Sequence, residues 1–206
     1  MNLFRKYMYQ LVESLKLKDG IIQNLDYHQG RMNCSLEELF PGTEHIELSD
    51  VLTIPEDCQS GLYKIRVVYN RIIEKIEIEP YQLRIIQSLK VVHHESVDYH
   101  LKYTDRQVLQ ELFEQRGTCD DVLIIKNGFV SDSFTANVLF FDGTNWFTST
   151  TPLLKGTQRQ FLLDEGIISE KEIREEDISG YQNVGLINAL IDFEEMPVIA
   201  IERIFH

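Results

Sequence analysis

The chain has 206 residues, 43% of them hydrophobic and 26% charged, which is ordinary for a globular protein large enough to bury a core. Its formal net charge is -13, with the acidic residues spread along the chain and no strong basic cluster, so a nucleic-acid surface or an anionic membrane leaflet is excluded as a partner. The three cysteines (Cys34, Cys58, Cys119) form no CxxC pair, and no run of about 20 apolar residues could span a bilayer. The N-terminus also lacks a signal-peptide apolar region, so a reduced, cytoplasmic protein is expected.

In chain order, YMYQLVESLKLKDGIIQNL predicts two strands turning at Asp19-Gly20. In DYHQGRMNCSLEELF, Ser35 and Glu38 have capping-box spacing ahead of Leu36, Leu39 and Phe40, predicting a helix that starts at Ser35. GLYKIRVVYN and IIEKIEIEPY predict two more strands, the second ending at Pro80. LRIIQSLKVV and SVDYHLKY predict a further pair. TDRQVLQELFEQRG predicts a helix capped by Thr104 or Asp105 and stopped by Gly117.

Two hairpins follow, turning at Asn127-Gly128 and Asp142-Gly143. A short helix is expected from Gln158 to Asp164, then an acidic helix capped by Ser169 and Glu172. VGLINALI and PVIAIERI close the chain as strands. This mixture of hairpins and single helices points to an α+β fold rather than a doubly wound parallel sheet. Two lobes are expected, residues 1–79 and 80–206, with the changeover near residues 76 to 86.

Most of the usual chemistry is missing. His93 and His94 are adjacent and would point to opposite faces of a strand, and His45, His100 and His206 lack ligands at metal spacing. No metal site is expected. There is no GxSxG and no GxxxxGK[ST]. Gly156-Thr157 open a helix, where unpaired N–H groups and a partial positive charge could hold a phosphate. Taken singly, Arg31 reads as solvated and Asp132 as a turn residue. Lys102 would sit at a strand end, where burial can lower the pKa of an amine and make it nucleophilic.

Together these pieces resemble one family. HLKYTDRQVL with Lys102, DSFTAN from Asp132 to Asn137, TTPLLKGTQR and LINALIDFEEMPV occur in the order and spacing of the class IV aminotransferases. Upstream, ESLKLKDGIIQNLDYHQGR is similar to that family's hairpin leading into HxxR. The resemblance covers nearly the whole chain. It implies the two-lobed fold-type-IV architecture of D-amino-acid aminotransferase, with pyridoxal 5'-phosphate between the lobes and the N-terminal lobe shortened.

The resemblance also implies roles. Lys102 would form the Schiff base and shuttle protons, and Arg31 would bind the cofactor phosphate. Thr157 and Gln158 would hold the same phosphate through backbone N–H groups, with Asn188 and Ala189 completing the cup. Asp132 would face the pyridine nitrogen, where relatives usually carry glutamate, one methylene longer. At position 157 the family often has isoleucine, and a backbone contact tolerates the exchange. Relatives usually carry some two to three dozen further residues upstream, so substrate-carboxylate recognition is expected to come from elsewhere, such as a partner subunit of a homodimer.

Three activities fit this resemblance. The LK…R-x-V-L, GxxRQF and NALI…MPV patterns are closer to aminodeoxychorismate lyase, which makes 4-aminobenzoate and pyruvate for folate synthesis. Amino-acid transamination of the branched-chain or D-amino-acid type uses the same lysine on a small amino-acid-like substrate. A catalytically idle cofactor-binding relative is the third.

Overall fold

A computed structural model describes residues 10–206. The portion of the first expected strand at residues 7–9 lies outside the described residues. The described residues divide into two compact units: residues up to 82 together with 101–105, and residues 83–100 together with 106–206. The sequence expectation put the boundary at 79/80 and Lys102 in the second lobe. By its contacts, the Lys102 segment instead belongs to the first unit.

The first unit is built on an antiparallel sheet of order β2-β1-β3-β4, formed by β1 (Leu11–Lys18), β2 (Ile21–Ile22), β3 (Leu62–Tyr69) and β4 (Ile73–Pro80). Asp19 and Gly20 turn β1 into β2 with φ of 50° and 77°, the conformation a tight hairpin demands. Strand alternation puts Leu11, Glu13, Leu15 and Leu17 on one face of β1. The three leucines are wholly buried with Ile65, Val67 and Tyr69 of β3 and with Met32 and Leu36 of α1 (Leu25–Leu39). Leu101 joins this core from the returning segment.

Helix α1 starts ten residues before the expected cap at Ser35. Its N-cap is Asn24, at φ 53°, with no side-chain capping bond. Ser35 is an interior residue whose hydroxyl donates back to the carbonyl of Arg31 at 2.8 Å.

The second unit contains two sheets. One has the order β13-β5-β6-β7, from β5 (Leu89–His93), β6 (Asp121–Lys126), β7 (Phe129–Val130) and β13 (Ile204–Phe205). The other has the order β10-β9-β8-β11-β12, from β8 (Asn137–Phe141), β9 (Trp146–Ser149), β10 (Ser169–Lys171), β11 (Asn183–Ile187) and β12 (Val198–Ala200). Leu89, Val91, Leu123 and Ile125 meet Val138, Phe140, Val184 and Leu186 in one core between the sheets. Leu139, on the opposite face of β8, packs instead with Leu162 of α3 (Thr157–Asp164) and Ile187. Between β5 and β6 lies α2 (Gln107–Glu114), which buries Leu109 and Leu112.

Three expectations are corrected. SVDYHLKY is not a strand: it alternates as expected, with Val97, Tyr99 and Leu101 buried and Asp98 and His100 exposed. It makes no ladder, only an isolated bridge between Tyr103 and Leu11. The cap of α2 is Arg106, not Thr104 or Asp105. Ser169 begins a strand rather than an acidic helix, because Ser169–Lys171 pairs in parallel with Phe147–Ser149, and that ladder outweighs local helical spacing.

Candidate functional site

The first unit carries Arg31 and Lys102, and it joins to Arg31 two residues to which the family likeness assigns no role, Glu13 and the histidine of HxxR, His28. Glu13 lies on the core face of β1 and is wholly buried. Arg31 donates to both of its oxygens, Nε to Oε1 at 2.9 Å and Nη2 to Oε2 at 2.5 Å, a two-point pair that fixes the guanidinium plane. His28, one turn earlier in α1 and also wholly buried, places Nδ1 2.6 Å from Oε2 of Glu13.

Burial alone would raise the Glu13 pKa. The Arg31 charge and then the His28 hydrogen bond overcome it and hold the carboxyl at about 2. Burial pushes His28 the other way, below its ordinary value; the Glu13 bond opposes this, while the charges of Arg31 and Lys102 add to it. His28 is therefore a neutral imidazole donating its Nδ1 proton to an ionised Glu13. A carboxylate in the register of three core leucines was the signal available in the sequence.

The backbone of Lys102 is tied to β1. Its carbonyl accepts the Val12 N–H at 2.9 Å, and Thr104 N–H donates to the Gln10 carbonyl at 2.9 Å. The lysine is half-buried, and its charge reaches His28. Lysine and arginine thus hang from one sheet and one helix.

The second unit carries the remaining candidates. Asp132 and Asn137 bracket the DSFTAN loop and pair across it as an isolated bridge. Asp132 is 6% exposed; its Oδ1 accepts from Asn137 Nδ2 at 2.8 Å and its Oδ2 from Leu154 N–H at 2.9 Å. Burial is the larger influence and pushes its pKa up to about 6 despite these bonds. Asn188 follows β11 directly and donates to the carbonyl of Thr135 in the DSFTAN loop at 3.3 Å, with Ala189 beside it. Thr157 and Gln158 form the buried first turn of α3, which Gly156 caps in an extended conformation. The loop thus gathers Asp132, Asn188 and the start of α3 around itself.

Phe134 anchors that loop. Its N–H donates to Asp121 Oδ1 at 3.2 Å, its carbonyl accepts from Arg106, and its ring stacks on Phe113 at 4.3 Å.

These donors suit pyridoxal phosphate. In the first unit Arg31 is a cation fit for a phosphate; in the second, a helix start can serve an anion and the buried carboxylate of Asp132 a cationic ring nitrogen. At Gly156 a Cβ would stand 2.1 Å from Asn137 Oδ1, so only glycine lets the backbone come so close there.

The class this fold and donor set define is borne out by comparison. The profile described as Amino-transferase class IV matches residues 10–201, and the chain belongs to that family, whose members depend on pyridoxal phosphate. A Haemophilus influenzae protein of uncharacterized function is 40% identical over 185 residues, 89% of this chain and 98% of its own. A Haemophilus somnus crystal structure, provisionally described as a 4-amino-4-deoxychorismate lyase, is 32% identical with a TM-score of 0.85, covering 89% of this chain and 97% of that one. The branched-chain amino acid aminotransferase of Escherichia coli shares the fold at 15% identity, with a TM-score of 0.69 over 92% of this chain and 75% of its own. The α+β fold-type-IV architecture expected from the sequence is therefore present.

Proposed function

We propose that the protein is a pyridoxal-phosphate-dependent 4-amino-4-deoxychorismate lyase. The observation that carries this reading is the 32% identity, over 97% of its length, to the Haemophilus somnus protein described in those terms. Bound pyridoxal phosphate supplies an electron sink for charge developing on the substrate.

The chain's own residues do the rest. Lys102 would hold the cofactor through Nζ, and its amine, once freed, would move a proton to and from the substrate. Arg31, its plane fixed by Glu13, would bind the phosphate, as would the first-turn N–H groups of α3 with Asn188 and Ala189. Asp132 would face the ring nitrogen and keep it protonated. The products, 4-aminobenzoate and pyruvate, together contain the atoms of the substrate, so no amino acceptor is needed.

The test is pyruvate release from 4-amino-4-deoxychorismate with no keto acid present. Amine transfer to 2-oxoglutarate without pyruvate release would overturn the lyase and leave a transaminase. Borohydride reduction and peptide mapping should mark Lys102. A Lys102→Ala protein that keeps the visible absorbance of the bound cofactor, or an unmodified protein that shows none, would overturn the lysine's role, and absorbance with neither activity would leave an idle cofactor-binding relative. Dimeric assembly, which the family likeness implies, belongs to the same proposal and is read by light scattering.

A further inference from the structure

One buried side chain that no cofactor atom need touch joins the second unit's two donor groups. Asn137 is the first residue of β8 and is 6% exposed. Its Nδ2 donates to Asp132 Oδ1 at 2.8 Å and to the Leu154 carbonyl at 2.8 Å. The Leu154 N–H returns to Asp132 Oδ2 at 2.9 Å, closing a ring of three residues. The remaining atom of the amide, Oδ1, fills the space beside the cap residue of α3, where a Cβ on Gly156 would come within 2.1 Å of it. A carboxamide has two N–H donors and an acceptor on one plane, and this position uses both donors and the bulk of the oxygen. Aspartate here would set a second carboxylate against Asp132, and alanine would leave two buried acceptors short of a donor.

We propose that Asn137 is a positioning residue that locks the carboxylate of Asp132 and the phosphate-holding start of α3 into one rigid element, so that a single side chain registers both ends of the cofactor. The inference rests on the reading that pyridoxal phosphate binds here. It also accounts for how aspartate serves where relatives use glutamate: both oxygens are held from behind, by the Asn137 amide and the Leu154 N–H, so the orientation of the shorter side chain is fixed by its neighbours.

The test loads the full-length protein with pyridoxal phosphate and reads its phosphate by phosphorus NMR and its labelled ring nitrogen by nitrogen NMR, beside a dissociation constant from titration. Asn137→Ala should weaken binding by roughly 10- to 100-fold, the usual cost of losing an outer orienting partner, and should move both resonances. Asp132→Asn should move the ring nitrogen alone. If Asn137→Ala moves neither resonance, or only that of the ring, the inference is overturned while the cofactor reading stands. If the unmodified protein binds no pyridoxal phosphate, both fall.

Should Asn137→Ala fail to fold, Asn137→Ser, which retains one donor, is judged by the same two resonances. A measurement on the unmodified protein is independent of any variant. Pyridoxal bound without its phosphate should show a ring-nitrogen resonance that shifts when inorganic phosphate is added. No shift would overturn the coupling.

Discussion

Glu13 is the most consequential single residue to which the family likeness gave no role. Its folded pKa of about 2 lies below the ordinary 4.5, so the stability it contributes is fully present above pH 4.5 and is lost as the pH falls toward 2. The difference corresponds to roughly 3 kcal/mol. Unfolding midpoints in urea should therefore fall through that window, and Glu13→Gln should flatten the fall while loosening Arg31. His28, depressed by burial, adds an earlier onset in the same direction, because the unfolded imidazole takes up a proton near pH 6.5 before the folded one does. Asp132 has the opposite sign. Its folded pKa of about 6 exceeds the ordinary 3.8, so cofactor-free protein should lose up to about 3 kcal/mol as the pH rises from 3.8 through 6. That slope should vanish in Asp132→Asn, whatever the variant's absolute stability. It should also shrink in the cofactor-loaded protein, because a cationic ring nitrogen beside Asp132 draws its pKa back down.

At the level of elements, local turn chemistry was legible and buried polar pairing was not. The Asp19-Gly20 and Asn127-Gly128 hairpins formed where dipeptides requiring positive φ stood between apolar runs. Helix α1 escaped detection over its first ten residues because its inward stripe runs Leu25, His28, Met32, Ser35, Leu36, and two of those five positions are polar. Buried His28 is paired with Glu13, fifteen residues away on a different element. No apolar periodicity can announce such a pair. The family-like motifs did mark Arg31, Lys102, Asp132, Thr157, Gln158, Asn188 and Ala189. They contain Glu13 and Asn137 without giving either a role, and these two act on their neighbours from behind. At α3 the close approach of Gly156 to Asn137 has a direct test. Gly156→Ala should cost about 1–3 kcal/mol by overpacking, although its φ of -68° suits alanine, and thermal unfolding would show it.

For the whole molecule, the two units have separate cores and should open separately under hydrogen exchange. Leu101 is the crossover residue, 7% exposed in the core of the first unit though flanked in sequence by the second on one side. Leu101→Ala should cost about 2–5 kcal/mol and should release amides of β1 and α1 while leaving those of β6 and β8 protected. Equal loss in both units would show that they fold as one. Among the described residues no helix is long and apolar enough to cross a membrane.

The return of residues 101–105 to the first unit also sets an order of events during synthesis. A ribosome that has released residues 1–82 has not yet supplied Leu101 to the leucine core, nor the carbonyl of Lys102 to Val12. The opening sheet must wait, incomplete, while residues 83–100, which belong to the other unit, emerge. Nascent chains stalled just after residue 82 clears the exit should be digested readily by protease, and chains stalled after residue 105 clears should resist. The segment that brings Lys102 is thus also the one that seals the first unit, so a chain cut short before it never presents a finished half.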